Sequence, residues 1–308
     1  MNIPFDKVYR VAKMGLGARK DGSAPVRVAV YIDSTVSDFL IDSIRSSFVP
    51  QTTSGLVRVE RLGAARIEPK RDNDVVLILS CGSDRLESAV QEIVIAGAPV
   101  CVLCESSVQA SFITSDTPIL GCIAASDKTY LLDSLARWIL DRTEKGSAFA
   151  ANFPFMRIAA ANRAITSCAL TNMATGALVF VPGADFPIMA LSQLGMMCDL
   201  ASIYGKPIEA ERAYEAAGVL ASGLALRCAA RSVTKHCPHV SFAVKALVGG
   251  FGTYAIGRAL SAVYERDVDY SRANAFVSSV LHGAEHVVSC ARGSAPAKDT
   301  VSDSEMAA

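Results

Sequence analysis

The sequence predicts an α/β domain, with a mostly parallel sheet in three layers, followed by an all-α domain. Three observations carry this. Over residues 25–146, short β-rich runs alternate with helical patterns. After that stretch the strand pattern stops. Then residues 164–198 form a stretch whose one acid is Asp185, in which a Pro-Gly turn joins two apolar helices. The 308 residues correspond to about two domains. With 51% hydrophobic and 19% charged residues, the chain is more apolar than an average soluble domain and long enough to bury a sizeable core.

Residues 1–24 read as a lead-in helix without a secretory pattern. Lys7, Arg10, Lys13, Arg19 and Lys20 make it a solvated helix or an anionic-lipid contact. Val26 to Ile32 is the first strand, and a helical pattern follows through Phe48. Leu56 to Leu62 alternates as a half-buried strand does. The continuous apolar runs Asp74–Ser80 and Ala98–Cys104 read as strands buried on both faces. Asp84–Ala96 between them is helical. Pro118–Ala125 is the last strand, and Lys128–Thr143 a helix carrying the single tryptophan, Trp138.

Gly146–Asn152 reads as a small-residue joint and sets the domain boundary. The helical domain, 152–290, is expected to hold helices near 154–181, 186–204, 208–235, 240–266 and 270–290. Its tail, 291–308, is Ser/Ala/Asp-rich and is expected to be disordered.

Lysines plus arginines balance aspartates plus glutamates at 30 each, which argues against a nucleic-acid partner, and aromatic residues are few. Nine cysteines, several inside apolar runs (Cys101, Cys122, Cys168, Cys198), fit reduced core thiols of a cytosolic compartment. Cys101 and Cys104 form a CxxC pair, but on a strand such positions face opposite sides.

The 164–198 hairpin admits three readings: a buried core element, a hairpin entering a bilayer, or a surface for a partner's helices. Its first helix is Ala-rich and carries Asn172. Asp185 is placed to cap the second helix, with a buried functional carboxylate as the alternative. Downstream, Gly249, Thr253 and Gly257 recur every four residues and give one helix a nearly smooth face; Gly218 and Ser222 repeat the pattern upstream.

Candidate chemistry is sparse. His282, Glu285 and His286 fit the inverted zinc-protease pattern, in which two imidazoles on one helix face hold the metal. The pattern lacks an obvious third ligand, so a polar helix face explains it as well. Gly250-Phe251-Gly252 begins a loose dinucleotide fingerprint without the flanking strand that gives such a motif its meaning. Ser34 and Thr35, beside Asp33, lie at the carboxyl end of the first strand, where α/β sheets bind ligands; a helix cap is the alternative.

Residues 164–264 resemble the bacterial domain-of-unknown-function 697, the YcjF-like family found attached to GTPase domains. The residues that carry the resemblance are Val181-Pro182-Gly183-Ala184-Asp185, then Gln193 to Met197, then Tyr204-Gly205, and last Gly252-Thr253-Tyr254 through Gly257-Arg258. The resemblance implies bacterial origin, membrane association and no known catalytic activity. The first domain resembles a shrunken GTPase domain in Asp72–Cys81, Ala98–Glu105 and Ile119–Thr143, and is equally well described as receiver-like. Where a GTPase carries its phosphate loop, this chain has Asp33-Ser34-Thr35-Val36-Ser37-Asp38, without Gly or Lys, and two carboxylates there repel a triphosphate. Glu105-Ser106-Ser107 replaces the guanine-reading motif.

The expectation is thus a non-catalytic scaffold or regulatory protein with no cofactor and no metal. It would work with protein partners, a GTPase among the candidates, and could form an oligomer. It would touch the membrane through 164–198 at the cytoplasmic side of the inner membrane, or stay in the cytoplasm. The alternative is an atypical nucleotide- or metal-dependent hydrolase.

Overall fold

Val, Ile and Leu dominate the five runs that form the sheet, and these residue types fit a pleated, buried surface. In the computed structural model, which describes residues 17–18, 20–67, 72–178, 185–206, 215–225, 228 and 241–266, they are β1 (Val26–Ile32), β2 (Gly55–Arg61), β3 (Val75–Leu79), β4 (Val100–Cys104) and β5 (Leu120–Ala124). All four pairings are parallel and the order is β2-β1-β3-β4-β5. This is a doubly wound α/β sheet, and its order reverses between β1 and β3.

The strand residues alternate between two cores, as a period of two demands. Val28, Val30, Leu77, Leu79, Cys101 and Leu103 face one side, where α1 (Asp38–Ser47) and α3 (Lys128–Arg142) bring Leu40, Ile44, Leu131 and Leu135. Tyr31, Val76, Ile78, Val102 and Cys104 face the other, against Leu86, Ala89, Val90 and Ile93 of α2 (Leu86–Ile95). Every residue of β3 and β4 is buried, which accounts for their unbroken apolar sequence.

Residues 146–152 are the small-residue joint expected from the sequence. They form α4 (Gly146–Asn152), and its residues from Ala148 to Asn152 are all buried. Phe149 and Phe153 stack in tilted geometry with Phe48, at centroid distances of 6.1 Å and 5.0 Å along the chain Phe149–Phe153–Phe48. Asn152 fixes the approach to β2: it accepts from Thr52 Oγ1 at 2.7 Å and donates to Ser54 Oγ at 3.1 Å. The core on this side continues from the sheet through Phe149, Phe153 and Met156 to Ile165 and Met196 of the next helices. The described residues all belong to one unit, which ends at Arg266.

Four further helices follow: α5 (Arg157–Leu178), α6 (Asp185–Ile203), α7 (Glu215–Ala225) and α8 (Ser241–Glu265). Close approaches fix their directions. On α8, Gly249 lies against Asn172 of α5 and Gly257 against Ile165, so the two helices run antiparallel. The same glycines touch Met189 and Met196 of α6, so α6 and α8 run parallel. A Schellman motif ends α6: Lys206 N–H donates to Ala201 O at 2.8 Å, and Gly205 adopts φ +65°, which favours glycine.

Candidate functional site

Two places merit attention as sites: the carboxyl edge of the sheet and the helical bundle. At the first, Asp33 follows β1 directly and is only 3% exposed. Its carboxylate accepts from Ser34 N at 2.7 Å, from Thr35 Oγ1 at 3.0 Å and from Ser80 Oγ at 2.5 Å. Thr35 Oγ1 in turn accepts from Cys81 N at 3.2 Å, and Ser80 Oγ from Gly82 N at 3.1 Å. Burial works against ionisation of Asp33, but the bonds from Ser80, Thr35 and the Ser34 amide outweigh it and hold the carboxyl below the usual carboxylate range.

The arrangement therefore crosslinks the ends of β1 and β3 at the point where strand order reverses. It places an ionised carboxylate, not a phosphate cradle, at that point. Ser34 and Thr35 are both drawn into this network and neither caps the helix that follows, whose N-cap is Ser37. Ser80, the second pillar, carries no sequence signal of its own; only the adjacency of β1 and β3 reveals it.

The bundle brings together several of the residues singled out by the sequence. Thr253, fully buried, accepts from Asn172 Nδ2 at 2.8 Å and from Gln193 Nε2 at 3.0 Å. One turn pair further along α8, Tyr204 and Ser261 share a hydrogen bond of 2.7 Å, and Tyr264 donates to the buried Glu215. Polar groups from all four helices thus line one seam. Asn172 Oδ1 has no partner among the described residues. Buried amide and hydroxyl groups of this kind penalise any slip that would leave them unpaired, so they set the register of the helices.

Close packing accompanies the seam. A Cβ on Gly249 would stand 2.7 Å from Asn172 O, and one on Gly257 would stand 2.8 Å from Ile165. The smooth face expected of Gly249, Thr253 and Gly257 is thus pressed against α5 and α6. Gly218 differs: nothing lies within 4 Å of its Cβ direction, and Ser222 Oγ bonds back to Gly218 O at 2.7 Å within its own helix. That pair is no packing face for the described residues. Gly252 sits inside α8, which begins at Ser241, so it opens neither a loop nor a helix N-terminus as a dinucleotide site requires.

Within the hairpin, Ile165, Asn172, Leu194, Met196 and Cys198 are buried. The helix long and apolar enough to cross a membrane, among the described residues, is Phe242–Glu265, with a mean hydropathy of 1.2 over its most apolar 18 residues, a third of them buried. On it Phe242, Leu247, Phe251 and Tyr254 are 63%, 50%, 66% and 44% exposed. No charged residue lies between Lys245 and Arg258.

Asp185 starts α6, but its side chain lies outside the described residues, as do Pro182, Gly183, His282, Glu285 and His286. Among the described residues, no group of three or more His, Cys, Asp or Glu is arranged to hold a metal ion. Comparison of the chain with protein-family models, with curated proteins and with solved structures gives no match. The resemblance of residues 164–264 to the YcjF-like family rests on its motifs alone.

Proposed function

We propose that this chain is a non-catalytic scaffold or regulatory protein, in which an α/β platform works with protein partners and the helical half holds it at a membrane. The observation that carries this reading is the outer face of α8. Leu247, Phe251 and Tyr254 stand exposed on one side of a helix of bilayer length, between Lys245 and Arg258, and Phe242 is exposed at its start. An apolar helix face with cations at its margins suits the boundary between acyl chains and anionic headgroups. Isolated exposed apolar residues need no explanation, but a row of large ones on one helix does.

The platform is read as receiver-like, because the strand order 2-1-3-4-5 is that of receiver domains and flavodoxins. The self-satisfied Asp33 network supports a binding role over phosphoryl chemistry, since its oxygens are already engaged by this chain's own donors. The YcjF-like resemblance points the same way.

Fractionation of cells expressing the full chain tests the membrane half. Recovery in the membrane pellet is expected, with release by carbonate if α8 lies in the interface and by detergent alone if it is inserted. Recovery in the soluble fraction under all conditions defeats membrane attachment. One observation favours a second reading: the hairpin buries Ile165, Met196 and Met197 in the core it shares with the sheet. In that reading the chain is a soluble partner of a GTPase, and pull-down of a GTPase from the soluble fraction supports it.

A further inference from the structure

Cys104 ends β4 and Cys122 lies in the middle of β5. In the register of this pair Val102 stands opposite Cys122, so Cys104, two residues on, projects from the same face. The two sulfurs are 3.6 Å apart. Cys101, the other half of the CxxC pair, belongs to the opposite core. The topology thus builds a dithiol from residues that the sequence does not pair.

The two thiols are not equivalent. Cys104 is fully buried, whereas Cys122 is half-buried on an edge strand. The hydrogen bond shared with Cys104 lowers the Cys122 thiol below its ordinary value, against burial and the nearby Asp116 carboxylate. The same bond, with burial, pushes the Cys104 thiol up. The reachable sulfur is therefore the better thiolate, and the buried one keeps its proton.

We propose that Cys104 and Cys122 form a reversible dithiol–disulfide pair that reacts with hydroperoxides, Cys122 as the attacking sulfur and Cys104 as the resolving one. The Cys122 thiolate attacks a peroxide oxygen. An S–O bond forms as the O–O bond breaks, and the leaving hydroxide takes a proton to become water. The Cys104 sulfur then attacks the resulting sulfenic sulfur. The S–S bond forms, the S–O bond breaks, and the hydroxyl leaves with the Cys104 proton as a second water. The two sulfurs give up two electrons and the peroxide takes them. Closure from 3.6 Å to a bond of about 2.05 Å moves the sulfurs by roughly 1.5 Å. Among the described residues strand β5 is paired on one side only, with β4, so it is the strand able to shift.

The test treats the purified full chain with one equivalent of hydrogen peroxide and blocks remaining thiols. The protein is then cleaved after Glu105 without reduction, which separates Cys104 from Cys122, and mapped by mass spectrometry. A Cys104–Cys122 crosslink that dithiothreitol reverses is expected. C104A should leave Cys122 as a sulfenic acid trapped by dimedone, and C101A should leave the crosslink unchanged. A Cys101–Cys122 link, oxidation of Cys122 to sulfinic acid without a link, or an unmodified Cys122 overturns the proposal. The mapping of the unsubstituted protein decides the matter even if a variant fails to fold.

Discussion

Replacing Asp33 by asparagine removes the charge that Ser34, Thr35 and Ser80 all donate to, while leaving the shape of the side chain. Hydrogen bonds to a charged group contribute about 1.5–3 kcal/mol each in favourable cases, and a misfit donor left buried adds to the loss. D33N should therefore lower unfolding free energy by about 2 kcal/mol or more, and S80A by about 1 kcal/mol, both read by denaturant titration. The carboxyl is held below its usual value, so its contribution is complete above the unfolded value of about 3.9 and fades as pH falls through the folded one. Asp199 has the opposite sign. Burial around it, with Asp21 nearby, pushes its carboxyl up to about 6. The folded state then binds this proton more tightly than the unfolded chain does. Its share of stability should rise as pH drops from 7 towards 4, and D199N should flatten that slope. The effect is small because, although neighbouring groups crowd the carboxyl, the residue keeps much of its surface in water. Equal slopes in D199N and the parent would defeat the assignment. Asp33 was legible from its place at a strand end; its partner Ser80 was not, because the contact spans 47 residues and depends on strand order.

Glycines in helices supply a contrast at the next scale. A Cβ on Gly249 meets the backbone oxygen of Asn172, which cannot rotate away, so G249A forces α8 off α5. Overpacking of this kind costs about 1–3 kcal/mol. Among the described residues G218A meets nothing, and it should gain roughly 0.5–1 kcal/mol from helix propensity. Thermal melts of the two variants should move in opposite directions; a common direction would show that the packing inferred at Gly249 is wrong. The elements themselves were largely readable. The strand runs are found within about two residues of the expected bounds, because five short apolar segments between turn signals have few other ways to fold. The Gly/Thr/Gly spacing likewise pointed to close packing. The helix at 146–152 was not readable: seven residues, five of them Gly, Ser or Ala, carry no periodicity, and it is tertiary burial that makes them helical. Strand order and the Cys104–Cys122 pairing were also out of reach, because both depend on which strands become neighbours.

For the molecule as a whole, the question is whether sheet and bundle unfold together. The sequence suggested two domains meeting at a joint. The joint is a buried helix, and one apolar core runs from Val28 and Leu77 through Phe149 and Phe153 to Ile165 and Leu200. Arg163 of α5 also donates to Leu140 O, at the end of α3, at 2.7 Å, and Ser202 of α6 to Ala18 O at 2.9 Å. A core shared in this way couples the two halves, since neither can open without exposing the aromatic cluster of the other. Trp138, buried against the sheet, reports on the α/β half by fluorescence. Far-UV circular dichroism is dominated by the helices. The two signals should therefore follow a single denaturation curve. F153A should shift both together, by about 3–5 kcal/mol, because the ring is fully buried between the halves. Two separated curves, or a shift confined to one signal, would mean that the halves are independent domains in contact. The scaffold reading would then need a hinge between platform and anchor, where a common core makes any force on α8 a force on the sheet.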